Sequence, residues 1–340
     1  MIMANLRIMV LLLAALFAPL WPTAGSAKDI SISHQWAATV DARDRAARVF
    51  VHEVEARLPD MRFQIHPQLA LKIKAEDQFD ALQSGKLGMS VYPLPYAAKK
   101  IPEFSLAVLP GLFRSVAAAR ALKNSKVSDR LQDIANANGV HILAWWWVAG
   151  GFVSRSREIA GPETVKGLRL RSGDTLFDLM LSRAGALPVD LKSNELYAAM
   201  QADKLDGALT SYETFVSERL YEHAKHFTAG SPGIWMFANP LLISKALWDS
   251  LSEAEKEVFE AAAEISETYF VATQTDAERR FIKTFTAAGA KYHRFSHEEY
   301  LAWVRFAQQT AWKEYFALSP TTESMLLEVV QTMMDDASTK

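Results

Sequence analysis

The chain has 340 residues, half of them apolar and 22% charged, which is enough material for two cores and excludes disorder as a general description. Its 37 Lys and Arg stand against 39 Asp and Glu, a formal charge of −2, so no basic balance points to nucleic acid as a partner. Cysteine is absent, which removes disulfides, thiolate nucleophiles and Cys-ligated metals and leaves stability to packing.

The amino terminus reads as a secretory signal peptide over residues 1–27. Arg7 precedes a compact apolar run at 8–18, and Thr23-Ala24-Gly25-Ser26-Ala27 ends in small residues, predicting cleavage after Ala27. The run is shorter than the roughly 20 residues a bilayer span requires, and Pro19 and Pro22 close it, which argues against a membrane anchor.

From Lys28 strands and helices alternate. Residues 29–32 have the two-residue period of a strand; 44–58 carry Ala47, Phe50, Val54 and Leu58 at helical spacing; 61–66 alternate again until Pro67. A loop follows in which Lys74 either faces a cleft or is solvated. The helix predicted at 76–84 ends at Gly85, suited to a left-handed cap, and 87–92 is the next strand. Tyr92 ends it directly before Pro93, so its ring and hydroxyl are offered to a ligand or half-buried at a strand end. Such alternation predicts an α/β fold with parallel sheets and right-handed crossovers.

A second domain begins near the aromatic cluster. Residues 142–148 are one apolar run, expected of a strand buried on both faces, and Gly150-Gly151 follows where the chain can cross or hinge before a strand at 152–155. On a strand Trp145 and Trp147 share one face and Trp146 takes the other, which makes Trp147, nearest the crossover, a cleft candidate with core packing as its alternative. Leu168-Arg169-Leu170-Arg171 is a short strand; Ser172-Gly173-Asp174 punctuates before helical spacing at Leu176, Leu179 and Met180. Arg171 therefore stands at a strand end, where open α/β sheets bind ligands, and its planar guanidinium can hold a carboxylate through two parallel hydrogen bonds. The ordinary alternative is a surface arginine.

Thr210-Ser211 and Asn239-Pro240 place polar groups at further strand ends, suited to orienting a bound acid. Trp235 and Phe237 share a face before 238–244, a strand that returns the chain to the first domain; two crossings make a hinged cleft. Leu251-Ser252-Glu253-Ala254-Glu255 is a capping sequence, with helix up to 285 and again over 297–334. The resulting organisation is lobe I at 28–148 plus 240–270, lobe II at 149–239, and C-terminal helices at 271–340 packing across the lobes. No HExxH, GxSxG, Walker or GxGxxG pattern occurs, and His223 and His226 lack a third ligand nearby, so no enzyme activity, metal or cofactor is indicated.

Several segments together carry a resemblance: Gln83-Ser84-Gly85-Lys86-Leu87, Val108-Leu109-Pro110-Gly111-Leu112-Phe113, Lys166-Gly167-Leu168-Arg169-Leu170-Arg171, and Asn194-Glu195-Leu196-Tyr197-Ala198-Ala199-Met200-Gln201 leading to Asp206-Gly207. Over essentially all of the mature chain the sequence resembles the periplasmic solute-binding subunits of TRAP transporters, the tripartite ATP-independent importers of organic acids. The resemblance implies a two-lobed periplasmic binding protein with a long connecting helix that closes on a carboxylate and delivers it to membrane subunits, with Arg171 at the position of the family's carboxylate-pairing arginine. Where many members carry a second arginine this chain has Gly151; Arg155 would point to the same strand face and supply a displaced second cation. Thr210 and Ser193 replace an asparagine and an aromatic of sialic-acid-type members, which argues against that ligand. The aromatic residues around the expected cleft favour a monocarboxylate with an apolar or aromatic body over a sugar acid. A ligand-sensing partner of a membrane receptor would use the same cleft, and an exported small-molecule enzyme is the remaining alternative.

Overall fold

The computed structural model describes residues 28–230 and 232–338; the signal peptide expected at 1–27 lies outside them. Among the described residues twelve strands form two sheets. The strands are β1 (Lys28–Ser33), β2 (Met61–His66), β3 (Met89–Val91), β4 (Val140–Ala144), β5 (Trp147–Ser154), β6 (Arg169–Arg171), β7 (Leu187–Pro188), β8 (Gly207–Ser211), β9 (His226–Ala229), β10 (Trp235–Ala238), β11 (Leu241–Ser244) and β12 (Lys291–Arg294). The first sheet runs β2-β1-β3-β11-β4; the second runs β12-β9-β5-β8-β6-β7, with β10 also paired to β5. β1 lies parallel to β2 and β3, as expected of strands joined through helices, while the returning β11 is antiparallel to both its neighbours.

The crossings between sheets fall at places the apolar pattern alone does not mark. The run at 142–148 is not one strand: β4 stops at Ala144, and after Trp145 and Trp146 the chain re-enters as β5 in the other sheet. The expected hinge at Gly150-Gly151 instead lies inside β5. A Cβ on Gly150 would sit 2.0 Å from the Thr210 carbonyl oxygen, and one on Gly151 2.2 Å from that of Thr228. These glycines permit close strand approach and do not mark a bend. The return crossing is Asn239-Pro240, which separates β10 from β11 within the stretch expected to be one strand. Trp145 and Trp147 stack at 6.3 Å while Trp146 stacks on Phe270 at 5.5 Å, as alternation requires.

The helix Glu253–Thr275, 23 residues long, opens with the expected capping box: Ser252 Oγ accepts from the Glu255 amide and Glu255 returns a carboxylate oxygen to the Ser252 amide at 2.7 Å. It crosses α1 (Ala42–Arg57) through an edge-to-face contact of Phe259 with Phe50 at 5.6 Å. Its far end covers the first crossing through Phe270. The tail contributes more than helices, because β12 adds to the second sheet parallel to β9.

The lobes meet where the start of α1 faces the helix Tyr212–Ser217. Asp41 caps α1 and binds Arg43 through both carboxylate oxygens at 2.7 Å; Ser217 Oγ donates to it at 2.8 Å. Arg43 reaches across to Thr214 Oγ1 at 2.9 Å, and the Ala42 amide donates to Glu213 at 2.8 Å. Burial alone would raise the Asp41 carboxyl, but the Arg43 charge and hydrogen bonds hold it below its usual value. Burial pushes the Glu213 carboxyl up, with Arg280 at 2.7 Å offsetting part of the effect.

Two outcomes follow from this packing. Gly150→Ala should lower the free energy of denaturant unfolding by about 3 kcal/mol or more, the upper end for overpacking, since the clash is with backbone; an unchanged midpoint would contradict the strand approach described. Asp41→Asn leaves Arg43 buried without its carboxylate and should cost about 3–5 kcal/mol near neutral pH. Because the folded carboxyl is held below an unfolded value of about 3.9, its contribution is present above that pH and fades as pH falls through the folded value. The gap between wild type and variant in thermal unfolding should therefore narrow in acid below about pH 4.

Candidate functional site

Arg171 ends β6, whose Leu170 and Arg171 pair in parallel with Gly207 and Ala208 of β8. The chain then turns through Gly173, at φ +87°, where a Cβ would sit 2.6 Å from the guanidinium; only glycine leaves the arginine this space. Asp174 next caps the helix Thr175–Arg183 by accepting from the Leu176 and Phe177 amides. Burial pushes its carboxyl up to about 6 despite these bonds and one from Ser105.

The side chain of Arg171 is 2% exposed. Nε donates to the Leu191 carbonyl at 2.8 Å and Nη2 to the Tyr96 hydroxyl at 3.0 Å. Tyr96 lies on the turn Leu94–Ala97 of the first lobe and also accepts from the Ser193 amide at 3.3 Å, so this contact spans the lobes. Among the described residues no carboxylate lies within ion-pair distance of Arg171. Asp178, whose carboxyl is raised by burial and lowered by Ser172 and Arg171, is held by the Ser172 hydroxyl at 2.6 Å. A buried guanidinium satisfied by neutral groups retains its charge for another anion.

The first lobe lines the cleft around it with Trp36, Arg43, Pro93 and Tyr96; the second supplies Arg171, Ser193, Thr210, Thr214, Trp235 and Phe237, and Asn239 stands at the crossing. Trp235 and Phe237 stack at 4.8 Å, as the shared strand face predicts. With the lobes as they stand the groups leave about 10 Å³ between them, room for about one water.

Arg171, Thr210, Trp235 and Asn239 thus come together, and the other residues expected in the site lie elsewhere. Arg155 follows the last residue of β5 and folds back onto Asp203, 2.6 Å away, and the Met200 carbonyl; an acid at the strand end has claimed it. Lys74 is exposed in its loop. Tyr92 is buried, its hydroxyl on the Glu76 carbonyl at 3.3 Å and its ring edge-on to Tyr96, so it supports Tyr96 and does not reach the cleft. Ser211 turns inward to cap the helix Tyr212–Ser217 and donates to Thr214 Oγ1 at 2.8 Å. Trp147 packs edge-on to Phe113 at 5.3 Å and borders a separate groove of about 310 Å³ with Arg120, Lys123 and Glu267.

The cleft's second cation is Arg43, stacked over the Trp36 ring at 3.9 Å. Sequence reasoning passed over both, although each has a signal. Trp36 follows the carboxyl end of parallel β1, a position where α/β sheets bind ligands. Asp41 two residues before Arg43, at the start of a helical period, is a capping pattern that fixes an arginine in place.

The chain matches the model of the bacterial extracellular solute-binding protein family 7 over residues 32–318. It is 35% identical over 310 residues to a solute-binding protein of Albidiferax ferrireducens, covering 89% of this chain and 91% of that protein. Among solved structures it is similar to a TRAP periplasmic solute-binding protein from Rhodoferax ferrireducens with bound malonate: TM-score 0.88, 34% identity, 91% of this chain and 99% of that one. A TRAP solute-binding protein from Sulfitobacter with bound β-D-galacturonate shares the fold at TM-score 0.81 and 19% identity, over 88% of this chain and 98% of that one. The two-lobed α/β architecture and the match over residues 32–318 place this chain in the family of bacterial extracellular solute-binding proteins, family 7.

Proposed function

We propose that the protein is a periplasmic binding protein that captures an organic acid in the interlobe cleft, with the ligand carboxylate on Arg171, and delivers it to the membrane subunits of a TRAP transporter. The observation that carries this reading is the guanidinium itself, 2% exposed, at the lobe seam and without a carboxylate partner among the described residues. The malonate of the Rhodoferax ferrireducens neighbour and the family match support an acid as the cargo. Export rests on the leader at 1–27, with cleavage after Ala27.

The mechanism is closure on the ligand. In the separated form Arg171 is accessible; an acid binds it, Trp36, Arg43 and Tyr96 of the first lobe complete the site, and contacts made only in the closed form shift the hinge equilibrium. The shift can be no larger than the ligand's preference for the closed state. The role is binding, and no bond-making step is assigned to any residue.

Arg171→Ala should cost about 2–5 kcal/mol of binding, roughly thirtyfold to several thousandfold in affinity, measured by titration calorimetry with the tightest acid found for the wild type. Unchanged affinity would remove Arg171 from the site. Arg171→Lys keeps the charge but loses the planar fork, so its affinity should fall between the two.

A further inference from the structure

The seam between the lobes holds a carboxylate for which ligand binding has no use. Glu218 directly follows the helix Tyr212–Ser217 of the second lobe; it is half-buried, and its side chain has no hydrogen bond or ion pair among the described residues. The residue before it, Ser217, donates to Asp41 of the first lobe at 2.8 Å, and Thr214 of the same helix accepts from Arg43 at 2.9 Å. Glu218 therefore stands beside contacts that exist only while the lobes meet. Burial pushes its carboxyl up to about 7; the negative charge of Asp41 adds to this and the positive charge of Arg43 opposes it.

The cations around it are taken up by other acids. Arg43 binds both oxygens of Asp41. Arg280 of the helix Ala277–Ala287 holds Glu213 at 2.7 Å, Arg45 of α1 lies 3.7 Å from the same carboxylate, and the Ala42 amide donates to it at 2.8 Å. Arg219, next in the chain, is exposed and donates to Glu222 at 2.8 Å. Closing the lobes thus brings Asp41 toward Glu213 and Glu218 and supplies a cation to the first two alone. Where carboxylates share a site, the one with the fewest donors is the one that accepts a proton. Asp41 and Glu213 have both oxygens hydrogen-bonded, and Glu218 has neither.

Resting on the reading that the lobes close on a ligand, we propose that Glu218 is a positioning residue for capture, which never touches the ligand but takes up a proton as the lobes come together. When they separate, Asp41 and Arg43 move away with the first lobe, water returns to Glu218, and its carboxyl relaxes toward the ordinary range. A carboxyl whose value is higher with the lobes closed than apart contributes fully to closure below its open value, and that contribution fades as pH rises through the closed value near 7. Closure is therefore favoured by mild acid, by the same amount for every cargo. The proton does for Glu218 what Arg43 does for Asp41.

The test is double electron–electron resonance on the protein from Lys28 onward, with spin labels on Lys74→Cys and Ala198→Cys, exposed positions of the two lobes in a chain that has no cysteine of its own. Without ligand, the ratio of closed to open lobes should rise about tenfold between pH 8 and pH 5.5. Glu218→Gln is neutral at every pH, so its ratio should stay near the acid value of the wild type throughout; Glu218→Ala serves if Glu218→Gln does not fold. A wild-type ratio that ignores pH, a variant ratio that follows pH as the wild type does, or lobes that stay open at both pH values would each overturn the proposal. Adding malonate, pyruvate or D-gluconate at pH 8 separates it from the reading beneath it. If one of these acids closes the lobes and pH does not, capture by closure stands and the role of Glu218 falls. If neither acid nor pH moves the lobes, both fall.

Discussion

A permanently charged group held out of water without a counter-ion among the described residues is the constraint on which this site depends. Burying a guanidinium costs free energy that hydrogen bonds to neutral oxygens only partly offset. Arg171 is held by the Leu191 carbonyl and the Tyr96 hydroxyl, and the glycine after it leaves the space its planar group needs. In the proposed reading the fork meets an anion with its orientation already set, so little further ordering is needed when one arrives. Because Tyr96 belongs to the first lobe, the group proposed to hold the ligand carboxylate is also in contact across the lobe seam.

The contrast with Arg43 shows why two buried arginines serve different ends. Arg43 is neutralised through two oxygens of Asp41, and its remaining contact runs across the seam to Thr214. That arrangement is complete without a ligand, so it contributes to how the lobes meet and lends the cleft a stacked cation over Trp36. Arg171 has no such partner among the described residues. The same residue type is a lobe contact in one place and, in the proposed reading, the receptor in the other, and the carboxylate beside it makes the difference.

Much of the architecture is legible in the chain because local period and punctuation agree there. Residues 61–66, the strand leading to Arg171 and the Ser252 capping box appear as read, since each is decided by neighbours a few residues away. The crossings are not legible, because an apolar run reports burial and not which sheet buries it: Trp145 and Trp146 belong to a break between sheets although every residue from 142 to 148 is apolar. Gly150-Gly151 looks like a hinge because glycine is permissive, yet the carbonyls of Thr210 and Thr228 occupy the space a side chain would need. Strand alternation points Arg155 toward the site but cannot foresee that β5 ends one residue earlier and that Asp203 captures the side chain. Arg43 and Tyr96 enter from the opposite lobe, and no local pattern in the chain pairs them with Arg171.

The most direct test of the account is a crystal structure of the protein from Lys28 onward with a bound acid. The account predicts a carboxylate on Arg171 at charge-assisted hydrogen-bond distance, about 2.7–2.9 Å, between closed lobes. An acid bound elsewhere, with Arg171 still satisfied only by Leu191 and Tyr96, would contradict it.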